Sequence, residues 1–394
     1  MTGNWGERGL SVEQQLAELA HAAAHPLELA KQWKATHGKR VIGHFPMHFP
    51  GELAHAAGAL SVLIQEAEDP ISIGLGSMFP FYCGYTRSIT DQALKGDFEF
   101  LDAIMFGDHC VQLLGAADVI RCNLPNTRIL FNQLISSMDA PWARAQARAT
   151  FQSLREELEE IIGHPITDES LRNSIAAFNR NRRLMRRIYD LRRAGKLAIS
   201  ARQVQDIVKS SMVMDKDQHT AVLEKVLQQI EAAPPARPYG VPVYLSGHFC
   251  QPPKLALLDM IESCGAIVVD DDLYHGYRYI ATDVDESGDP LDALADWYLL
   301  RNRRVPCPTR ADNHADWDTF LVNAATQAKA QGVIILMAKF CEPHMYYYPE
   351  LKEAFDRKGI AHLLIETEHE SMPLEVFKTR VETFLEIIKR RAAA

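Results

Sequence analysis

A chain of 394 residues with 47% apolar and 24% charged side chains holds material for two or three hydrophobic cores, which excludes wholesale disorder. Its net charge of −9 excludes a dedicated nucleic-acid binder, whose phosphate contacts need a basic face. No run approaches the roughly 20 apolar residues of a membrane helix, and Met1–Leu10 lacks the basic start and apolar stretch of a signal peptide, so a cytoplasmic protein without membrane contact is expected.

In chain order, Ser11–Ala24 is rich in Ala, Leu, Glu and Gln and reads as helix, and helical character persists to about Thr36. Arg40–Phe45 is a short apolar run of strand type, punctuated by Pro46 and Pro50. Glu52–Ala57 begins a helix, and Leu60–Ile64, Leu101–Phe106 and Arg128–Phe131 are further strands. Strands alternating with helices at this pitch predict a parallel sheet. From Pro141 to about Ala232 charge and helix formers dominate, as in Gln152–Ile162 and Leu171–Arg193, and a helical insert or bridge is expected. The run Ala233-Pro234-Pro235-Ala236-Arg237-Pro238 marks a linker. A second alternation follows: strands at Val241–Ser246, Gly265–Val269, Val333–Leu336 and His362–Ile365, helices at Pro252–Ser263, Trp317–Gln331, Pro349–Lys358 and Leu374–Arg391. The expected fold is α/β, with two doubly wound parallel-sheet domains of Rossmann or flavodoxin type at 38–138 and 237–394. Helical segments 1–37 and 139–236 precede and separate them.

In such sheets ligands sit at the carboxyl ends of the strands. His44 follows the first strand, Asp108-His109-Cys110 the third, and Gly247-His248 with Cys250 the first strand of the second half. Lys339 and Cys341 follow Val333–Leu336. The seven cysteines are Cys83, Cys110, Cys122, Cys250, Cys264, Cys307 and Cys341. An odd count in a long, non-secreted chain argues against disulfides. No pair has C-x-x-C spacing, so a metal cluster would have to be assembled from distant loops. Taken singly, each cysteine reads equally as a buried, inert thiol. No G-x-x-x-x-G-K-[ST] phosphate loop is present, so ATP chemistry would belong to another chain.

Several segments together carry a resemblance. Lys339-Phe340-Cys341-Glu342-Pro343, followed by Tyr346-Tyr347-Tyr348-Pro349, resembles the third cluster-ligand motif of the 2-hydroxyacyl-CoA dehydratase and benzoyl-CoA reductase family. Cys83 with Arg87-Ser88 is similar to its first motif, and Leu101–Ile104 leading to Cys110 to its second. The family usually has Asp after that second cysteine; this chain has Val111, and Cys122 is the reserve candidate. Pro50-Gly51-Glu52-Leu53 with Ala57-Gly58, Ile261–Ala266 with Asp271-Asp272, and Ile365–Glu368 extend the likeness over about 38–135 and 240–390. Within the family the chain most resembles the smaller catalytic subunit of ATP-dependent benzoyl-CoA reductases.

The resemblance implies a [4Fe-4S] cluster held by Cys83, Cys110 and Cys341, leaving one iron without a protein thiolate. It implies an acyl-CoA substrate, benzoyl-CoA first, and a homologous second catalytic subunit. It also implies an ATP-hydrolysing iron–sulfur activator and ferredoxin as the electron source. Family dehydratases form a ketyl radical, whereas the reductases reduce the aromatic ring to a cyclic diene. A dehydratase subunit, a double-cubane reductase and a cluster-free partner subunit are the alternatives. By the same resemblance Glu52 and His44 are candidate acid–base groups, and Arg87 and Ser88 candidate substrate contacts. Glu52 reads equally as a helix-start acid favoured by the dipole, His44 and His48 as loop histidines, and Arg87 as a surface ion pair. Lys339 and His344 flank Cys341, and Arg303, Arg304 and Arg310 surround Cys307 in a loop that could meet CoA phosphates. Cys264 reads as core, and Cys250 as an extra thiol beside His248.

Overall fold

The computed structural model describes residues 11–47, 49–197, 199–233 and 239–393. His48 and the proline-rich run 234–238 lie outside the described residues.

Helix α1 (Val12–Ala24) opens on a capping box in which Ser11 and Gln14 satisfy each other's backbone N–H, and α2 (Pro26–His37) ends on left-handed Gly38. The first sheet then forms from β1 (Val41–His44), β2 (Leu60–Leu63), β3 (Ala103–Gly107) and β4 (Arg128–Asn132), with α3 (Gly51–Ala56), α4 (Gly84–Leu94) and α5 (Val111–Asn123) as crossovers. Four helices follow: α6 (Ala143–Ile162), α7 (Asp168–Arg193), α8 (Ala201–Ser211) and α9 (Lys216–Ala232). The second sheet comprises β5 (Val241–Gly247), β6 (Ala266–Asp271), β7 (Gly332–Ala338) and β8 (Ala361–Thr367). Around it lie α10 (Leu255–Ser263), the short α11 (Tyr277–Ile280), α12 (Pro290–Arg304), α13 (Trp317–Gln327), α14 (Glu342–Lys358) and α15 (Leu374–Ala393).

Both sheets are wholly parallel, with orders β2-β1-β3-β4 and β6-β5-β7-β8. Strand order therefore reverses between β1 and β3 and again between β5 and β7, the positions where doubly wound sheets open a ligand crevice. All eight expected strands are present, each end within two residues of its expected place. Continuous Val, Ile and Leu runs such as Val333–Leu336 are fully buried, as strands covered on both faces must be.

The helices differ more from expectation. The helix expected from Pro349 starts at Glu342, because Pro343 is the proline of its first turn and Pro349 lies inside it. The helix expected to run to Gln331 stops at Gln327, before Lys329 takes a positive φ of 55°. Helices α4, α5 and α12 carry no assignment from the sequence. Residues Gly84–Ala93 of α4 are all buried, so no polar face marks its period.

The middle helices act as a bridge. On the first half, α7 docks against α3: Ser174 Oγ donates to the Glu52 carbonyl at 2.8 Å, and Arg182 forms a buried ion pair with Glu52. On the second, its end reaches β6, where Tyr189 Oη donates to Asp271 at 2.8 Å and Arg193 pairs with Asp270 at 2.7 Å. No helix among the described residues is long and apolar enough to cross a membrane.

Candidate functional site

The carboxyl ends of the two sheets face a shared cavity. Four of the seven cysteines line it: Cys83, Cys110, Cys250 and Cys341. The first two come from the first half, the others from the second.

Cys83, Cys110 and Cys341 share one local design. Each is the N-cap of a helix, of α4, α5 and α14 respectively, and none caps it with a side-chain hydrogen bond. A cysteine at an N-cap places its sulfur beside free backbone N–H groups and the positive end of the helix dipole. Three helix starts therefore converge on one cavity. Phe340, just before Cys341, is held at φ 64°, a left-handed conformation that costs a non-glycine residue about 1–2 kcal/mol. That turn carries the chain from β7 into α14 and sets the cysteine at the cavity wall.

Gln112 ties two of these loops together. Its Oε1 accepts from the Cys83 N–H at 2.7 Å, and its Nε2 donates to the Phe340 carbonyl at 2.8 Å. Thr86 adds a contact of 3.5 Å from its hydroxyl to the Cys83 sulfur. Neither is a candidate on sequence grounds. Gln112 lies just beyond Cys110 and reads like any polar residue of a helix start. His109, also on the cavity wall, is buried, and burial with the charges of Arg310, Arg301 and Arg278 lowers its pKa to about 3.

Burial dominates the thiol chemistry. It pushes Cys110 up to about 12 and raises Cys83, Cys250 and Cys341, each further disfavoured by the neighbouring sulfurs or acids. Bare thiolates would be costly here, and a cationic cluster core is what would offset them. Among the described residues no three His, Cys, Asp or Glu side chains converge tightly enough for a single metal ion. Donor type and burial thus fit an iron–sulfur cluster.

The other candidates fall elsewhere. Cys122 is exposed near the far end of α5, about 18 Å along the helix from Cys110 at 1.5 Å per residue, and does not line the cavity. Arg87 is buried and fully engaged: its Nε donates to the Tyr82 carbonyl at 2.9 Å, and its guanidinium pairs with Glu370 at 3.1 Å. Ser88 accepts from the Ala67 N–H at 3.0 Å. Neither lines the cysteine cavity, so the geometry gives both a role in fixing α4 rather than an open binding face.

Glu52 and His44 line a second cavity together with Arg182, Tyr279 and Arg301. It shares no lining residue with the first. Glu52 is buried, paired through Oε1 with Arg182, and its Oε2 has no hydrogen-bond partner. His44 ends β1 and stacks on Phe49; burial lowers its pKa to about 4, so it is neutral near pH 7. Lys339 is exposed and pairs with Glu368 at 2.8 Å. His344 is buried against Phe249 and Trp317. Arg310 points inward to the Tyr298 hydroxyl at 3.0 Å, so the expected basic surface loop loses its third arginine. Cys264 is the C-cap of α10, and Cys307 is buried against Thr309.

Comparison with known proteins decides the family. The family described as 2-hydroxyglutaryl-CoA dehydratase, D-component, matches residues 46–388. The chain belongs to this family. It is 29% identical to the beta subunit of the lactoyl-CoA dehydratase of Anaerotignum propionicum, over 96% of this chain and 99% of that protein. It is 27% identical to the (R)-phenyllactyl-CoA dehydratase beta subunit of Clostridium sporogenes, over 89% and 92%. It is 25% identical to one of the benzoyl-CoA reductase subunits of Thauera aromatica, over 91% and 94%. Dehydratases and a reductase thus stand at similar distance, and all are subunits of larger enzymes by name.

Proposed function

We propose that this chain is an iron–sulfur subunit of a multi-subunit acyl-CoA enzyme and holds a [4Fe-4S] cluster on Cys83, Cys110 and Cys341. The observation that carries this reading is the meeting of three helix N-caps, all cysteine, on one cavity. A bound cluster of this kind supplies low-potential single electrons. The chain's own work is to bury the sulfurs, to hold Cys83 and Cys341 at a fixed separation through Gln112, and to keep bulk water out with Phe249, Phe340 and Leu113.

Of the two reactions named among the relatives, dehydration of a 2-hydroxyacyl-CoA is the first reading, supported by the lactoyl and phenyllactyl enzymes. Benzoyl-CoA reduction, the expectation drawn from the motifs, is the second, supported by the relative from Thauera aromatica. Partners in either case are a homologous second catalytic subunit, an ATP-hydrolysing iron–sulfur activator and ferredoxin. The absence of a phosphate loop in the sequence agrees with ATP use on another chain. Exposed Ile73, Leu75, Phe79 and Phe81, just before Cys83, offer an apolar face of the kind that partners cover. Glu52 and His44 are proposed to handle protons from the second cavity, where the unpartnered Glu52 Oε2 is the accepting atom.

Anaerobic purification followed by iron and acid-labile sulfide determination tests the reading. About four of each per chain are expected. Cys83→Ser, Cys110→Ser and Cys341→Ser should each lower bound iron at least several-fold, and Cys122→Ser should leave it unchanged. Full iron in the Cys110 variant would sink the ligand set. Assay with the partner chains separates the reactions: loss of water with catalytic ATP marks a dehydratase, stoichiometric ATP with ring reduction a reductase.

A further inference from the structure

A third cavity has a wall that includes Met47, Met138, Arg278, Arg301, Asn302 and Arg310. It shares only Arg301 with the Glu52 cavity and no residue with the cysteine cavity. Tyr298, Arg301 and Asn302 follow one another at three- and four-residue steps along α12, so one face of that helix forms much of the wall.

The three arginines are not equivalent. Arg278 is spent: its Nη2 pairs with Asp272 at 3.0 Å, and its Nη1 donates to the Val305 and Pro306 carbonyls at 2.7 Å each, answering the end of α12. Among the described residues, Arg301 and Arg310 form no ion pair and meet only neutral groups. Half-buried Arg301 lies over the Trp297 ring at 4.8 Å and approaches the Met47 carbonyl at 3.5 Å. Arg310, only 7% exposed, donates from Nε to the Tyr298 hydroxyl and from Nη1 to the Thr309 carbonyl, both at 3.0 Å. Its Nη2 is shut off from solvent with no hydrogen-bond partner among the described residues. The same is true of Asn302 Nδ2, and Asn302 is 4% exposed. Its Oδ1 accepts from the Cys307 N–H at 3.1 Å, which fixes the amide and leaves Nδ2 to the cavity. The Asp108 carboxylate accepts from the Leu134 N–H at 2.8 Å and makes no ion pair with Arg310.

One buried and one half-buried guanidinium thus share a wall with an unpartnered amide donor and lack an acid. A guanidinium keeps its proton at any physiological pH, so a buried one needs a counter-charge. A water molecule would satisfy the free N–H groups and leave the charge in place. We propose that this cavity binds a small monovalent anion of the halide class, held by Arg301, Arg310 and Asn302. The thioethers of Met47 and Met138 complete the wall with a soft, polarisable surface. Such a wall suits a halide better than a phosphate, whose several oxygens each call for a donor. The methionines belong to the first half of the chain and the donors to the second, so the anion lies where the halves meet. Its binding is independent of the iron–sulfur cluster.

Thermal unfolding of the full chain, purified without oxygen and exchanged into gluconate buffer, tests this with bromide added at constant ionic strength. Wild type is expected to gain about 3 °C, saturably, at a hundredfold excess of bromide over its dissociation constant. Crystals grown in bromide should show an anomalous peak between Arg301, Asn302 and Arg310. Arg310→Met removes one charge, and Asn302→Asp supplies a carboxylate where the anion sits; both should lose the bromide response. Asn302→Asp keeps the acceptor for the Cys307 N–H, so it decides should Arg310→Met fail to fold. Three proteins responding alike, or bromide peaks at the surface alone, would reveal an adventitious ion only and overturn the site. A wild type that ignores bromide would overturn it as well, and a response to sulfate without one to bromide would overturn the halide assignment.

Discussion

Gln112 shows how much one neutral side chain can organise. It satisfies the Cys83 N–H and the Phe340 carbonyl at once, and the second of these lies 228 residues downstream of it. Gln112→Ala removes both hydrogen bonds and leaves two buried backbone groups without partners, at about 1 kcal/mol or more each. A loss of roughly 2 kcal/mol in denaturant unfolding is expected, with faster bleaching of the bound cluster in air. Unchanged unfolding and bleaching would show that the two loops are held by packing alone. His219 is legible in the same terms. Its Nδ1 accepts from Asn181 at 2.8 Å and its Nε2 donates to the Ile207 carbonyl at 3.0 Å, an arrangement that suits only the neutral ring.

At the scale of elements, the central strands are readable because they carry apolar runs buried on both faces, as in Val333–Leu336. Cys110 and Cys341 can be placed at strand ends from the sequence for the same reason. What cannot be read is α4, whose every side is buried and which carries Arg87 and Asp91 inside. The resemblance makes Arg87 a candidate substrate contact, and the sequence cannot show that its acid partners, Glu368 and Glu370, lie some 280 residues downstream. Cys250 too can be placed at a strand end beside His248 from the sequence, but the backbone turn at Gly247 that carries it to the cavity cannot. That turn can be tested directly. Gly247→Ala forces a Cβ to within 2.1 Å of a carbonyl oxygen at φ 105° and should cost at least about 2 kcal/mol, read as a lowered thermal midpoint. Gly359→Ala, at φ 66° with nothing within 4 Å, should cost only about 1 kcal/mol. Equal effects would mean that the close approach of β5 to β7 relaxes freely.

For the whole molecule, buried neutral histidines set the acid limit. Burial lowers the pKa of His219 to about 3 and that of His44 to about 4, from the ordinary value of 6.5. The unfolded chain takes up these protons as pH falls below about 6.5, whereas the folded chain does not until near 4 and 3. Stability is therefore full above pH 6.5 and lost progressively as pH falls toward those folded values. Urea unfolding of the iron-free chain at about pH 7.5 and about pH 5 should show a marked fall in midpoint. His219→Phe, which has no proton to gain, should show a smaller one. Parallel falls in both proteins would move the acid sensitivity to other groups.

The division of the thiols between the two halves has a mechanical side. Cys83 and Cys341 are 258 positions apart by their numbering (341 − 83), and a shared cluster would join them as a covalent cross-link joins distant points of a string. Loops of such length restrict the unfolded chain more than short ones do, though only logarithmically. Metal binding free energy then becomes folding free energy. On the proposed reading, iron would add cohesion between the halves, and a chain without it would breathe along the seam where the sheets meet. Its backbone there would become the first target of a protease.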